Sequence, residues 1–176
     1  MRFVDFLRAA VLLCGGSATA LATITVLTAG NEDDSVLYGF IIGWWVAAAM
    51  IGMWLGRRAD TNSPIARLLA AAKSTKALPE HRAGSLLLNR LWPLLVSTVL
   101  ALALGFFAPQ IPAIACGFAI IGALAWRRQE AAVTAIEERD GVAFYVEPTS
   151  PLKPIKLIRA PGFRRDDLVS VNGTVR

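Results

Sequence analysis

The sequence predicts an all-α membrane protein: four transmembrane helices as two hairpins, with a small cytoplasmic C-terminal helix extension and a β-hairpin. Three observations lead there. The 176-residue chain is 55% hydrophobic with mean hydropathy +0.53, too apolar for a soluble domain of this size. Residues 9–30, 35–56 and 91–126 contain no Asp, Glu, Lys, Arg or His. Uncharged apolar runs of about 18 residues or more read as bilayer-spanning helices. Finally, all 18 Lys and Arg fall in three segments, which are Arg2 and Arg8, the stretch 57–90, and everything after 126. The domain plan is a transmembrane region 1–126, with spans at about 6–29, 36–56, 91–108 and 111–126 and a cytoplasmic connection 57–90, then a cytoplasmic tail 127–176.

The first span imitates a signal peptide, with a basic start and Ala18-Thr19-Ala20 as a small-x-small site. Hydrophobicity continues past Ala20 to Thr28, and the uncharged run 9–30 would extend about 33 Å as a helix. A retained span is therefore expected. Asn31, Glu32, Asp33 and Asp34 form a short acidic turn to the second span. There Gly39 and Gly43, then Gly52 and Gly56, make two GxxxG pairs on different faces. One pair suits packing inside the bundle and the other a partner. Trp44 and Trp45, near the middle of this span, are expected to pack or meet lipid, with an aromatic cavity wall as the alternative.

In the 57–90 connection, Ser63-Pro64 reads as a helix start, and Ile65, Leu68, Leu69 and Ala72 recur on one face. That is an amphipathic helix for the membrane surface or for the protein's own tail. His81 is the chain's one histidine, and no metal site or triad assembles around it.

The second pair of spans is short. Trp92 to Phe107 covers about 22 Å and Pro112 to Trp126 about 21 Å, against a hydrocarbon core of roughly 30 Å. The intervening turn is apolar apart from Gln110. Full spanning with local bilayer thinning is the expectation, and a re-entrant hairpin is the alternative. Small residues repeat at four-residue spacing in every span: Gly15, Thr19 and Thr23; Ser97, Ala101 and Gly105; Ala115, Ala119 and Ala123. Helix packing is the expected use. The hydroxyls are expected to bond within their own helices, and Cys14 and Cys116 to act as small hydrophobes.

Beyond the last span, 127–140 reads as a helix stopped by Gly141. Val142 to Val146 reads as a strand, Pro154 to Ile158 as its partner across a linker with Pro148 and Pro151, and 162–176 as a loosely ordered end. A hairpin alone is marginal in water, so it needs another surface. Glu137, Glu138 and Asp140 are expected to be a solvated helix end rather than a metal site.

By the positive-inside rule, both termini and the 57–90 connection are expected in the cytoplasm, and the alanine- and arginine-rich composition together with that asymmetry points to a bacterial inner membrane. The candidate binding residues are Arg57, Arg58, Arg67, Lys73, Lys76, Arg127 and Arg128, with Phe144 and Ile155, for anionic lipid headgroups or a partner protein. No catalytic set, cofactor site or metal site is expected: the apolar runs carry no Asp, Glu, Lys, Arg or His, and no phosphate loop, dinucleotide fingerprint or nucleophile elbow occurs. Nucleic acid is not an expected partner, because the aromatic platform is missing. The function expected is that of a noncatalytic accessory, assembly or scaffold protein, within a larger membrane complex or a homo-oligomer. The alternative is a small oligomeric transporter or pore, including a holin-like one.

Overall fold

The structure of the protein, a computed structural model, describes residues 1–29, 35–57, 63–74, 83–147 and 155–161. The acidic turn at 31–34, the prolines Pro148 and Pro151, His81 with its neighbours Glu80 and Arg82, and the segment 162–176 lie outside the described residues. The chain is mostly helical. Its order is α1 (Phe3–Ala29), α2 (Ser35–Leu55), α3 (Ser63–Ala70), β1 (Lys73–Ser74), α4 (Ala83–Leu104), α5 (Gln110–Trp126), α6 (Gln129–Asp140), β2 (Val142–Val146) and β3 (Leu157–Pro161). Helices α1, α2 and α4, and α5 continued through α6, are long and apolar enough to cross a membrane.

Side-chain contacts fix the sense of each helix. Thr98 donates to the Ser17 hydroxyl at 3.1 Å and Ala101 packs with Leu21, so α4 runs parallel to α1. The Cys116 thiol meets the Ala18 carbonyl at 3.3 Å and Cys14 lies over Gly122, so α5 runs antiparallel to α1. Ile41 packs with Ala113, and Gly52 sits against Ile121 and Leu124, so α2 runs with α5. Direction therefore alternates along the chain. The most extensive packing is not between helices adjacent in sequence. Helix α5 is the centre and packs mainly on α1 and α2, while α4 lies against α1 and α5.

Residue size explains this centre. Pro112, Ala113, Cys116, Gly117, Ala119 and Ala125 are buried on α5, and such a narrow helix lets its neighbours come close. The second GxxxG pair of α2 belongs to this contact. A Cβ on Gly52 would lie 2.9 Å from the Leu124 Cβ, and one on Gly56 would collide with the Leu124 carbonyl oxygen. Gly39 and Gly43 face open space. On α1 the expected small face is displaced: Thr19 and Thr23 are exposed, and the buried line runs through Ala10, Ser17, Leu21 and Thr25.

The other end of the bundle carries a small mixed subdomain. Its three-stranded sheet has the order β1-β3-β2. Strands β2 and β3 are antiparallel, with Phe144 opposite Arg159 and Val146 opposite Leu157, and β1 joins β3 in parallel. The hairpin partner thus begins three residues later than the pattern of Pro154 to Ile158 suggests. Phe3, Phe6, Leu7, Ile65, Val133, Phe144, Val146 and Leu157 form one buried core. Leu68, Leu69 and Ala72 pack on it, so the apolar face of the connection helix meets the protein itself rather than a membrane surface.

Two span starts differ from the charge-based boundaries for the same reason. Helix α1 begins at Phe3, not residue 6, because Phe3, Phe6 and Leu7 follow helical spacing into this core while Arg2, Asp5 and Arg8 stay exposed. Helix α4 begins at Ala83, not residue 91, and Leu87 and Leu91 pack on the same core. Gly141 ends α6 as expected, in the left-handed conformation (φ 62°), and its N–H donates to the Glu137 carbonyl.

Candidate interaction surface at the basic end

The subdomain is tied together by a side chain that the sequence suggests is solvated. Glu137 is 5% exposed. Its Oε2 accepts from Arg2 Nη2 at 2.6 Å, and its Oε1 accepts from the Phe144 N–H at 2.8 Å. One carboxylate therefore joins the start of α1, the end of α6 and the middle of β2. The Val146 N–H donates to the Met1 carbonyl at 3.1 Å, and Arg2 bridges to Tyr145 beside it. The Arg2 guanidinium is held above its ordinary pKa, chiefly by the Glu137 hydrogen bond and then by that carboxylate's charge; burial opposes this and Asp5 adds a smaller push. A helical wheel does hold the missed signal. Gln129, Ala132, Val133, Ile136 and Glu137 fall at spacings of three and four, and all but the half-buried Ile136 are buried, so Glu137 belongs to an apolar face.

Around the neck between bundle and subdomain, arginines gather at one level. Ser17 lies level with Thr98 and Cys14 with Gly122. Carried along the helices, those registers put Arg8, Arg90, Arg127 and Arg128 within about one helical turn of each other. Arg57 joins them directly, because Arg128 Nη1 donates to its carbonyl at 3.1 Å. That bond places a cation at the carbonyl end of α2, where the helix dipole favours it. Trp54, Trp92 and Trp126 are exposed near the same level, at 69%, 43% and 41%. Indoles and long basic side chains both favour a membrane–water interface.

The candidate binding residues are thus placed unevenly. Arg57, Arg127 and Arg128 come together and are exposed, and Arg67 is exposed on α3. Lys73 lies in β1, opposite Ile158. Arg58 and Lys76 lie outside the described residues. Ile155 is half-buried against the subdomain core, and Phe144 is 3% exposed within it. The core position of Phe144 makes it a structural side chain, unavailable to a partner or to lipid.

Next to Arg127, an open groove of about 310 Å³ runs along α6, lined among the described residues by Arg127, Glu130, Ala131, Thr134, Ala135 and Glu138. The Thr134 hydroxyl is engaged by the Glu130 carbonyl at 3.0 Å. Among the described residues, no group of three His, Cys, Asp or Glu could hold a metal ion.

Within the spans, hydroxyls bond as expected: Thr19 to Gly15, Thr23 to Thr19 and Thr25 to Leu21, each donating to a carbonyl one turn earlier. Trp44 and Trp45 are packing residues with a polar anchor. Their indole N–H groups donate to the Ile114 and Ala113 carbonyls of α5, at 3.2 and 3.0 Å. Trp44 lies directly over Gly117, with its edge to Phe118.

By composition this is a membrane-embedded, multi-pass architecture: four apolar helices long enough to cross a bilayer, with a mixed α/β subdomain at one end. No protein-family model, no curated protein and no solved structure matches this chain.

Proposed function

We propose that this protein is a noncatalytic accessory, assembly or scaffold component of a bacterial inner membrane, with both termini and the 57–90 connection in the cytoplasm. Its basic neck meets anionic headgroups, and the subdomain beneath docks a larger membrane complex or a second copy. The observation that carries this reading is the convergence of Arg8, Arg57, Arg90, Arg127 and Arg128 at the level of three exposed tryptophans. Cations gathered there face the surface of an anionic leaflet, where each contributes on the order of 1 kcal/mol of attraction. The subdomain supports a docking role because segments from all three polar regions pack into one body, giving a defined surface rather than separate tails.

The test uses the full chain purified in mild detergent. Native mass spectrometry should show retained phosphatidylglycerol in preference to phosphatidylcholine, with retention reduced in the Arg57→Gln, Arg127→Gln double variant. Crosslinking in native membranes should trap a defined partner or a second copy through the subdomain. Equal retention of the two lipids would refute the headgroup role. Solute flux through liposomes holding the protein alone would favour the transporter or pore reading instead.

A further inference from the structure

The two helix pairs differ in height. From Arg8 to Ala29, α1 rises about 32 Å, whereas Arg90 to Leu104 on α4 spans about 21 Å and Gln110 to Arg127 about 26 Å. The α1–α4 register puts Leu104 level with Thr23 and Ile24, so α1 continues for about five more residues, roughly 7 Å, past the end of α4. At the low point sit Phe106 and Phe107, 73% and 88% exposed.

The turn between α4 and α5 bonds part of its own backbone. The Gly105 N–H donates to the Ala101 and Leu102 carbonyls, those of Phe107 and Ala108 donate to Leu104, and that of Ile111 donates to Ala108. Pro109 and Pro112 carry no N–H and are buried. Such a turn tolerates the edge of the hydrocarbon region. Gln110, exposed at the same level, sets the opposite limit, because its amide would be costly within hydrocarbon.

We propose that the leaflet opposite the basic end is thinned around the α4–α5 turn, with Phe106 and Phe107 seated at the boundary between acyl chains and headgroups. This rests on the membrane reading above. The partner is the lipid itself. A bilayer of full thickness on this side would submerge the Gln110 amide, whereas a thinned one leaves it among headgroups and the two phenyl rings in the outermost acyl region. The bundle then acts as a wedge, full height along α1 and α2 and short at α4 and α5. Lipids with short acyl chains are the class that fits the low side.

The experiment places single cysteines at two depths in the full-length protein: Phe107→Cys at the turn and Phe118→Cys two turns into α5, where Phe118 is 62% exposed. Native Cys116 is 1% exposed, and unsubstituted protein supplies the background that Cys14 and Cys116 contribute. Each variant is reconstituted in thin dimyristoleoyl and thick dierucoyl phosphatidylcholine vesicles. The vesicles are opened by freeze–thaw to a membrane-impermeant maleimide, so orientation does not matter. The proposal expects Phe107→Cys to label in both lipids at rates within about threefold, and Phe118→Cys to stay protected in both. Labelling at position 107 that is lost in the thick lipid, or absent from both, overturns the proposal and leaves the membrane reading standing. Labelling at position 118 as fast as at 107 overturns the membrane reading itself. Retention of the helical circular-dichroism signal in each variant reports that the bundle has folded.

Discussion

Substituting Gly56→Ala tests how the bundle is held together. The added Cβ would press on the Leu124 carbonyl oxygen and lie 3.2 Å from the Gly52 oxygen. Neither atom can swing aside, because both belong to helix backbones. Relief requires α2 and α5 to separate along their closest approach, which also breaks the Gly52 contact and strains the Arg128 bond to the Arg57 carbonyl. Overpacking of this kind costs about 1–3 kcal/mol. Replacing glycine by alanine in a helix returns at most about 1 kcal/mol, and less at a helix end. The net expectation is a loss of roughly 1–2 kcal/mol, or about tenfold in the folded-to-unfolded ratio. Gly43→Ala is the internal control, since nothing lies within 4 Å of its added methyl. It should be neutral or stabilising by up to about 1 kcal/mol. Equilibrium unfolding in mixed micelles, followed by tryptophan fluorescence, measures both. If Gly43→Ala costs as much as Gly56→Ala, or if Gly56→Ala is as stable as the parent, the assignment of the second GxxxG pair to the internal contact is wrong.

Three further outcomes follow from the same geometry. Glu137→Ala leaves the Phe144 N–H without its acceptor and frees Arg2, at a cost of about 1–3 kcal/mol; Glu137→Gln keeps an acceptor oxygen and should cost less. Hydrogen exchange at 142–146 reads this directly, and unchanged protection there in Glu137→Ala would refute the role. Trp45→Phe removes the bond to the Ala113 carbonyl, about 0.5–1.5 kcal/mol, with part of the ring volume, while Trp45→Ala empties the space between α1, α2 and α5, about 3–5 kcal/mol. A neutral Trp45→Phe in mixed-micelle unfolding would mean the indole N–H contributes nothing, and equal costs for the two variants would mean the packing of the ring contributes nothing. Cysteines placed at Glu32 and Lys73 should label from opposite sides of sealed vesicles, and labelling from the same side would end the four-span topology.

The four long apolar helices were legible because charge is so costly in hydrocarbon that its absence over 9–30, 35–56 and 91–126 is a direct signal. The boundaries at the basic end were less so. There Phe3, Phe6 and Leu7 are buried by protein, and an interior made of protein and one made of lipid leave the same apolar residues in sequence. The third strand could not be read, since two residues, Lys73 and Ser74, join Ile158 and Arg159 across more than eighty positions. Small residues misled on α1, where Thr19 and Thr23 face outward. Lipid tails are as apolar as a helix interface, so no solvent contrast marks the packed face. Glu137 was not legible from its type, because a carboxylate near a helix end is ordinarily solvated, although its neighbours Val133 and Ile136 place it inside.

The neck joins bundle and subdomain without a hinge. Helix α1 passes through it unbroken, with Phe3 to Leu7 in one core and Ala10 to Thr25 lining the other. Helix α5 turns into α6 over Arg127 and Arg128 alone, both in right-handed helical backbone, and Arg128 fastens that turn to the end of α2. Helix α4 also starts inside the subdomain, through Leu87 and Leu91. A displacement of the subdomain must therefore be carried into the spans as a tilt of α1, α4 and α5 together, because bending any of them at the neck would break helix hydrogen bonds in a low-dielectric setting. A partner docked on the subdomain would act on the bundle as a lever acts on its shaft. Two glycines inserted between Arg8 and Ala9 should uncouple the halves, since they rotate Phe3 to Leu7 by about 200° relative to the face that meets α5. Hydrogen exchange in β2 and β3 should then rise while the mid-bundle Ser17–Thr98 region keeps its protection; simultaneous loss of both would show that subdomain and bundle fold as one cooperative unit.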